Sequence, residues 1–118
     1  KNYIKRFKNT EIKFQKVEFK NYSSYHLFVI LFPNKKKILL NYDKIFREFH
    51  KHNLLVMLHY FPVHLHPYYK KKGFKKGNFP ISENLAKRSF SLPIFPNLTL
   101  GQQLKIIKIV FKILKKYS

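Results

Sequence analysis

Three of the chain's six histidines, His59, His64 and His66, fall in the twelve residues Leu58–Tyr69, together with Pro62, Pro67 and four aromatic rings. No Lys, Arg, Asp or Glu interrupts them. Imidazole is the side chain whose proton affinity lies near neutrality, and it can accept, donate or ligate. Each proline fixes its own φ and drives the residue before it, Phe61 or His66, out of the helical region, so this segment is expected to be extended or turning, and stiff. A stiff, aromatic-walled run of imidazoles can hold polar ligand atoms at little entropic cost. The same residues also fit a proline-bent crossover whose rings are core.

Other chemistry is thin. His59, His64 and His66 lack a cysteine partner, and no carboxylate lies close in sequence to complete or orient a metal site; Glu48 and Glu83 are the nearest acids on either side. Five scattered acids supply no paired carboxylates and no Ser–His–Asp order. Gly73 and Gly77 sit in the basic run Tyr69–Asn78, without the strand–glycine–helix context of a phosphate-binding loop. The residues alone assemble no complete active site, and no metal is expected.

The elements that position these residues follow from periodicity. Ile4 and Phe7 suggest the end of a helix, and Phe14, Val17 and Phe19 an edge strand. Ser24–Phe32 is a continuous apolar run rich in strand formers and reads as a central strand, ended by Pro33-Asn34. Lys35–Lys37 reads as a solvated loop. Asn41 or Asp43 can cap a helix with Tyr42, Ile45, Phe46 and Phe49 on one face, stopping near His52-Asn53, where Asn tolerates a left-handed turn. Leu54–Tyr60 reads as a second buried strand that delivers the histidine segment at its end. Pro80 opens a short helix to about Ser89, and prolines keep Ser91–Leu98 extended. Thr99 and Gln102 form a capping box, followed by an apolar stripe of Leu104, Ile107, Val110, Phe111 and Leu114.

At 118 residues the chain supports one domain, which buries roughly two-thirds of its unfolded surface. It is 45% hydrophobic and 18% aromatic, unlike a disordered tail. No apolar run reaches the ~18 residues of a membrane span, and the absence of cysteine fits a cytoplasmic setting. The chain opens on Lys1, which fits a piece of a longer protein. The net charge of +20 points to a polyanionic partner, and a small basic nucleic-acid-binding module is the alternative reading. Against it, Lys outnumbers Arg 22 to 3 and is spread from end to end, whereas specific phosphate and base recognition favours arginine's planar fork.

Three segments share one order and spacing with a known family: His59-Tyr-Phe-Pro-Val-His-Leu-His-Pro-Tyr-Tyr69, Gly73-Phe-Lys-Lys-Gly-Asn-Phe-Pro80, and Ser91-Leu-Pro-Ile-Phe-Pro-Asn-Leu-Thr99 with Gln102-Gln103. With the strand Tyr25-His-Leu-Phe-Val-Ile30, they resemble the C-terminal part of the DegT/DnrJ/StrS sugar-nucleotide aminotransferases. The nearest resemblance is to enzymes of pseudaminic acid synthesis that aminate a UDP-4-keto-6-deoxy-N-acetylhexosamine.

The resemblance implies an α/β (α+β) fold: residues 1–118 as the small C-terminal domain of a fold-type I transferase, a short sheet covered by helices with a long C-terminal helix. It implies pyridoxal phosphate as cofactor, glutamate as amino donor, a UDP-keto-sugar as acceptor, a homodimer and a cytoplasmic setting. The Schiff-base lysine and most cofactor contacts belong to the family's large domain, so no lysine here is expected to be catalytic. What carries over is a substrate-binding wall of His59, Tyr60 and His64. This sequence departs from the family at Asn53-Leu54-Leu55, where a glycine-containing turn is usual, and at His66, where Gln is usual.

Overall fold

The structure, a computed structural model, describes residues 2–118. In chain order its elements are α1 (Asn2–Phe7), β1 (Lys13–Phe14), β2 (Phe28–Leu31), α2 (Lys36–Leu40), α3 (Tyr42–Lys51), β3 (Met57–Leu58), a 3₁₀ turn (Val63–Leu65), α4 (Pro67–Lys71), α5 (Pro80–Ala86), β4 (Ser89–Leu92) and α6 (Leu100–Tyr117). The strands form one antiparallel sheet in the order β1-β2-β4-β3. This is the expected mixed α/β class, a short sheet packed with helices and closed by a long helix.

The sheet is organised around β4, which pairs with β2 through Phe28↔Leu92 and Ile30↔Phe90 and with β3 through Leu58↔Phe90. Alternation along each strand puts Phe28, Ile30, Phe90 and Leu92 in the core. They join one apolar cluster with Tyr3 and Phe7 of α1, Ile45 and Phe49 of α3, and the buried stripe of α6. The Phe90 ring lies 5.3 Å from both Phe32 and Phe49 and 5.6 Å from Tyr42, centroid to centroid.

α6 forms for the expected reason. Thr99 Oγ1 accepts from the Gln102 amide at 3.2 Å while the Thr99 amide donates to Gln102 Oε1 at 2.9 Å. Its buried stripe is Ile106, Ile107, Val110, Ile113, Leu114 and Tyr117; of the expected stripe, Leu104 and Phe111 are only partly buried. Glu48 ties α3 to this helix through Lys116 at 3.0 Å, and that bond holds the Glu48 carboxyl below its usual range.

Several expectations need correction. Lys36–Leu40 is a helix, α2, where the lysine triplet suggested a loop. The second buried strand shrinks to Met57–Leu58 at the sheet edge, with Leu55 and Met57 exposed, because β4 rather than β3 takes the place beside β2. The edge strand at Phe14–Phe19 is only Lys13–Phe14, and Phe19 stands fully in solvent. α5 ends at Ala86, so Ser89 belongs to β4. Pro67 starts α4, inside the segment expected to be extended; proline suits a first helical turn, where its missing N–H costs nothing. Asn41 makes no side-chain cap; its Nδ2 donates instead to the Lys37 carbonyl. Asn53 does adopt the expected left-handed conformation, at φ 54°.

Two tyrosines, Tyr3 buried and Tyr42 partly buried, set the alkaline limit of the fold. Burial pushes Tyr3 and Tyr42 up to about 12 from 10, with the Asp43 charge adding to the effect at Tyr42. A folded-state pKa above the unfolded one means their contribution is complete below pH 10 and is lost as pH rises toward 12. Denaturant midpoints measured across that interval should fall in the wild-type chain. They should fall less in Tyr42→Phe.

Candidate functional site

β3 ends at Leu58, and the chain turns out of the sheet through His59 and Tyr60, joined by a cis peptide. The turn is held by Ser89, whose Oγ donates to the His59 carbonyl at 2.6 Å, so β4 anchors the exit of β3. The two side chains open onto a groove of about 560 Å³, with Phe79, Ile81, Ser82 and Leu85 of the α5 region across from them. Tyr60 is largely exposed, and on its far side a second cavity of about 390 Å³ runs to Tyr42, Lys76 and Lys87.

His59 is the chemically unusual residue of this groove. Its Nε2 is buried and has no hydrogen-bond partner among the described residues. Burial also depresses its pKa below the ordinary value of 6.5, so at neutral pH the ring is uncharged. A buried, unsatisfied ring nitrogen costs stability.

His64 is placed differently from His59 and Tyr60. The turn after Pro62 buries it to 7% exposure, behind the Phe79 ring that walls the groove, at 4.8 Å between centroids. Its Nε2 lies 2.9 Å from Glu83 Oε1. The same oxygen accepts the Gly77 amide at 2.7 Å, the chief reason the Glu83 carboxyl titrates below its usual range. A carboxylate can only accept, so His64 donates through Nε2 and its Nδ1 remains for a ligand. The imidazole borders a smaller cavity with Tyr69, Phe74, Phe79 and Ser82.

Thus the structure gathers His59 and Tyr60 on one groove and sets His64 behind it, while His66 stacks edge-on against Phe61. No three His, Cys, Asp or Glu side chains among the described residues are grouped to hold a metal ion. Glu83, 19 positions from His64, is the residue to which the sequence alone assigns no role. Its one signal is that it is the only acid after Glu48.

Pyridoxal phosphate needs an amine for its aldehyde and a charged partner for its ring nitrogen. The groove lining contains neither a lysine nor a carboxylate, and Glu83 is committed to His64 and Gly77. These residues therefore do not fit the cofactor as a self-sufficient site, and the chemistry they offer is binding and orientation.

A model of the DegT/DnrJ/EryC1/StrS aminotransferase family matches residues 1–111. The spore coat polysaccharide biosynthesis protein SpsC of Bacillus subtilis is 33% identical over 93 residues, covering 78% of this chain and 24% of SpsC. Among solved structures, Spr1654 from Streptococcus pneumoniae, known in apo, PLP and PMP forms, superposes with a TM-score of 0.86 in its apo form at 23% identity. That match covers 98% of this chain and 29% of Spr1654. Helicobacter pylori PseC, an aminotransferase involved in the biosynthesis of pseudoaminic acid, gives 0.81 at 26% identity, covering 98% of this chain and 30% of PseC. The chain spans about a quarter of the length of the curated relatives it matches. The match accounts for the chain without the nucleic-acid module that its charge suggested. Matched to the family over nearly its whole length, the chain belongs to the DegT/DnrJ/EryC1/StrS aminotransferases.

Proposed function

We propose that residues 1–118 are the C-terminal small domain of a sugar-nucleotide aminotransferase and form one wall of its substrate pocket. The observation that carries this reading is the groove at His59 and Tyr60, where an imidazole and a phenol meet apolar walls. Its polar atoms suit a sugar's hydroxyl, keto or N-acetyl oxygens, and its rings suit the sugar face. Tyr60 offers its hydroxyl, His59 its ring as part of the wall and His64 its Nδ1. Pyridoxal phosphate, when bound, supplies the carrier for the amino group; this chain holds the sugar nucleotide in register and excludes water from it.

The cofactor-binding lysine and its domain lie outside these residues in this reading, consistent with the quarter share of each relative that the chain spans. Use of pyridoxal phosphate draws support from the PLP and PMP forms of Spr1654. The likeness to PseC favours an acceptor sugar on the route to pseudaminic acid; the motif resemblance adds a UDP-4-keto-6-deoxy-N-acetylhexosamine as that acceptor, glutamate as donor and a cytoplasmic homodimer. No helix of the described residues is long and apolar enough to cross a membrane.

This division of labour is tested by borohydride reduction of the chain mixed with pyridoxal phosphate. The expected result is sparse labelling spread over many lysines. One stoichiometrically labelled lysine would overturn it.

A further inference from the structure

We infer that Glu83 is a positioning residue: it fixes His64 and the Gly77 turn in one arrangement and thereby sets the Phe79 wall of the groove. A single oxygen, Oε1, receives the His64 ring at 2.9 Å and the Gly77 amide at 2.7 Å, so one carboxylate joins three parts of the chain. These are the 3₁₀ turn Val63–Leu65, the loop before α5, and α5 itself.

The loop needs such an anchor. Gly77 has φ +94°, a conformation that favours glycine, and the segment Tyr69–Asn78 carries five lysines and no acid to pair them. Within it Asn78 Oδ1 accepts the Lys75 amide at 2.7 Å, and the Gly77 amide donates directly to Glu83. Phe79 follows at once, with its ring against His64 on one side and Phe74 on the other. Glu83 is itself little exposed, at 13% of its side chain, so the bonds lie in a site where a misplaced or absent partner is costly. Fixing the His64 proton on Nε2 also dictates that only Nδ1 can meet a ligand.

The functional consequence rests on the sugar-nucleotide reading; the positioning does not. The test uses the ¹⁵N-labelled 118-residue chain, with Glu83→Ala and Glu83→Gln. In the wild type, ring-nitrogen shifts should report the Nε2–H form of His64, and the Gly77 amide should exchange slowly. Glu83→Ala should mix the two His64 tautomers, free the Gly77 amide, shift the Phe79 ring signals, and weaken UDP-N-acetylglucosamine binding about tenfold. Glu83→Gln should restore the Gly77 protection and most of the binding, because its amide oxygen still accepts both bonds. An unchanged His64 tautomer and Gly77 protection in a folded Glu83→Ala chain would overturn the assignment. Should Glu83→Ala fail to fold, the Glu83→Gln spectra decide in the same way: retained tautomer and protection support the role, and their loss contradicts it. A wild-type chain that binds no UDP-N-acetylglucosamine would sink the sugar-nucleotide reading, while the tautomer and exchange measurements still judge Glu83.

Discussion

Phe90→Ala should lower the melting temperature by roughly 10–20 °C and leave a large fraction of the chain unfolded at physiological temperature. Phe90 is fully buried in the strand that joins both halves of the sheet, and it touches the rings of Phe32, Phe49 and Tyr42. Removing such a ring costs about 3–5 kcal/mol, through lost transfer energy and the cavity left behind. A domain of this size has about 5–15 kcal/mol in all, and mutual repulsion within a chain of net charge +20 keeps it toward the low end. Phe19→Ala, at a ring that stands fully in solvent, should change stability by less than about 0.5 kcal/mol. Thermal unfolding followed by circular dichroism compares the two directly. Equal effects at both positions would contradict the packing described for β4.

His59→Phe should do two opposite things. Stability should rise by about 1 kcal/mol, because a buried ring nitrogen without a partner is replaced by an apolar ring of similar shape. Sugar-nucleotide binding should weaken about tenfold, because the imidazole that lines the groove is gone. The pH dependence has a definite sign. His59 has a folded-state pKa below its ordinary 6.5, so its contribution is complete above that value and is lost as pH falls. The stability advantage of His59→Phe should therefore widen below pH 6.5. Urea denaturation between pH 5 and about 8 measures both features. A destabilised variant with unchanged binding would make His59 a packing residue.

What the sequence disclosed follows the range of the interactions involved. α6 was legible because a capping box and a 3.6-residue stripe are local, and Asn53 because a left-handed turn is a property of one residue. β2 was legible as an apolar run, with its ends misjudged because pairing stops where β4 stops. β4 itself was hidden. Its Ser-Phe-Ser-Leu alternation is only four residues long, and serine is a poor advertisement for a strand buried on both faces. The lysines of α2 masked a helix whose buried residue is Ile38 alone.

The site divided the same way. His59 and Tyr60 were legible as a stiff, aromatic, uncharged stretch, and the structure carries them to one groove. The His64–Glu83 bond was not legible, because it depends on the loop through Gly77 folding back by way of Phe79 and α5. No local pattern encodes that return. Only the isolation of Glu83 in a long acid-free stretch hinted at it.

Whether the His59–Tyr60 groove is a wall for a sugar nucleotide is decided by titrating the ¹⁵N-labelled chain with UDP-N-acetylglucosamine at physiological salt and mapping amide shifts. Saturable changes should concentrate at His59, Tyr60, Phe79, Ile81 and Ser82, with little dependence on salt. Changes scattered over the lysines of the Tyr69–Asn78 loop and α6 that vanish as salt is raised would contradict it, as would no change at all.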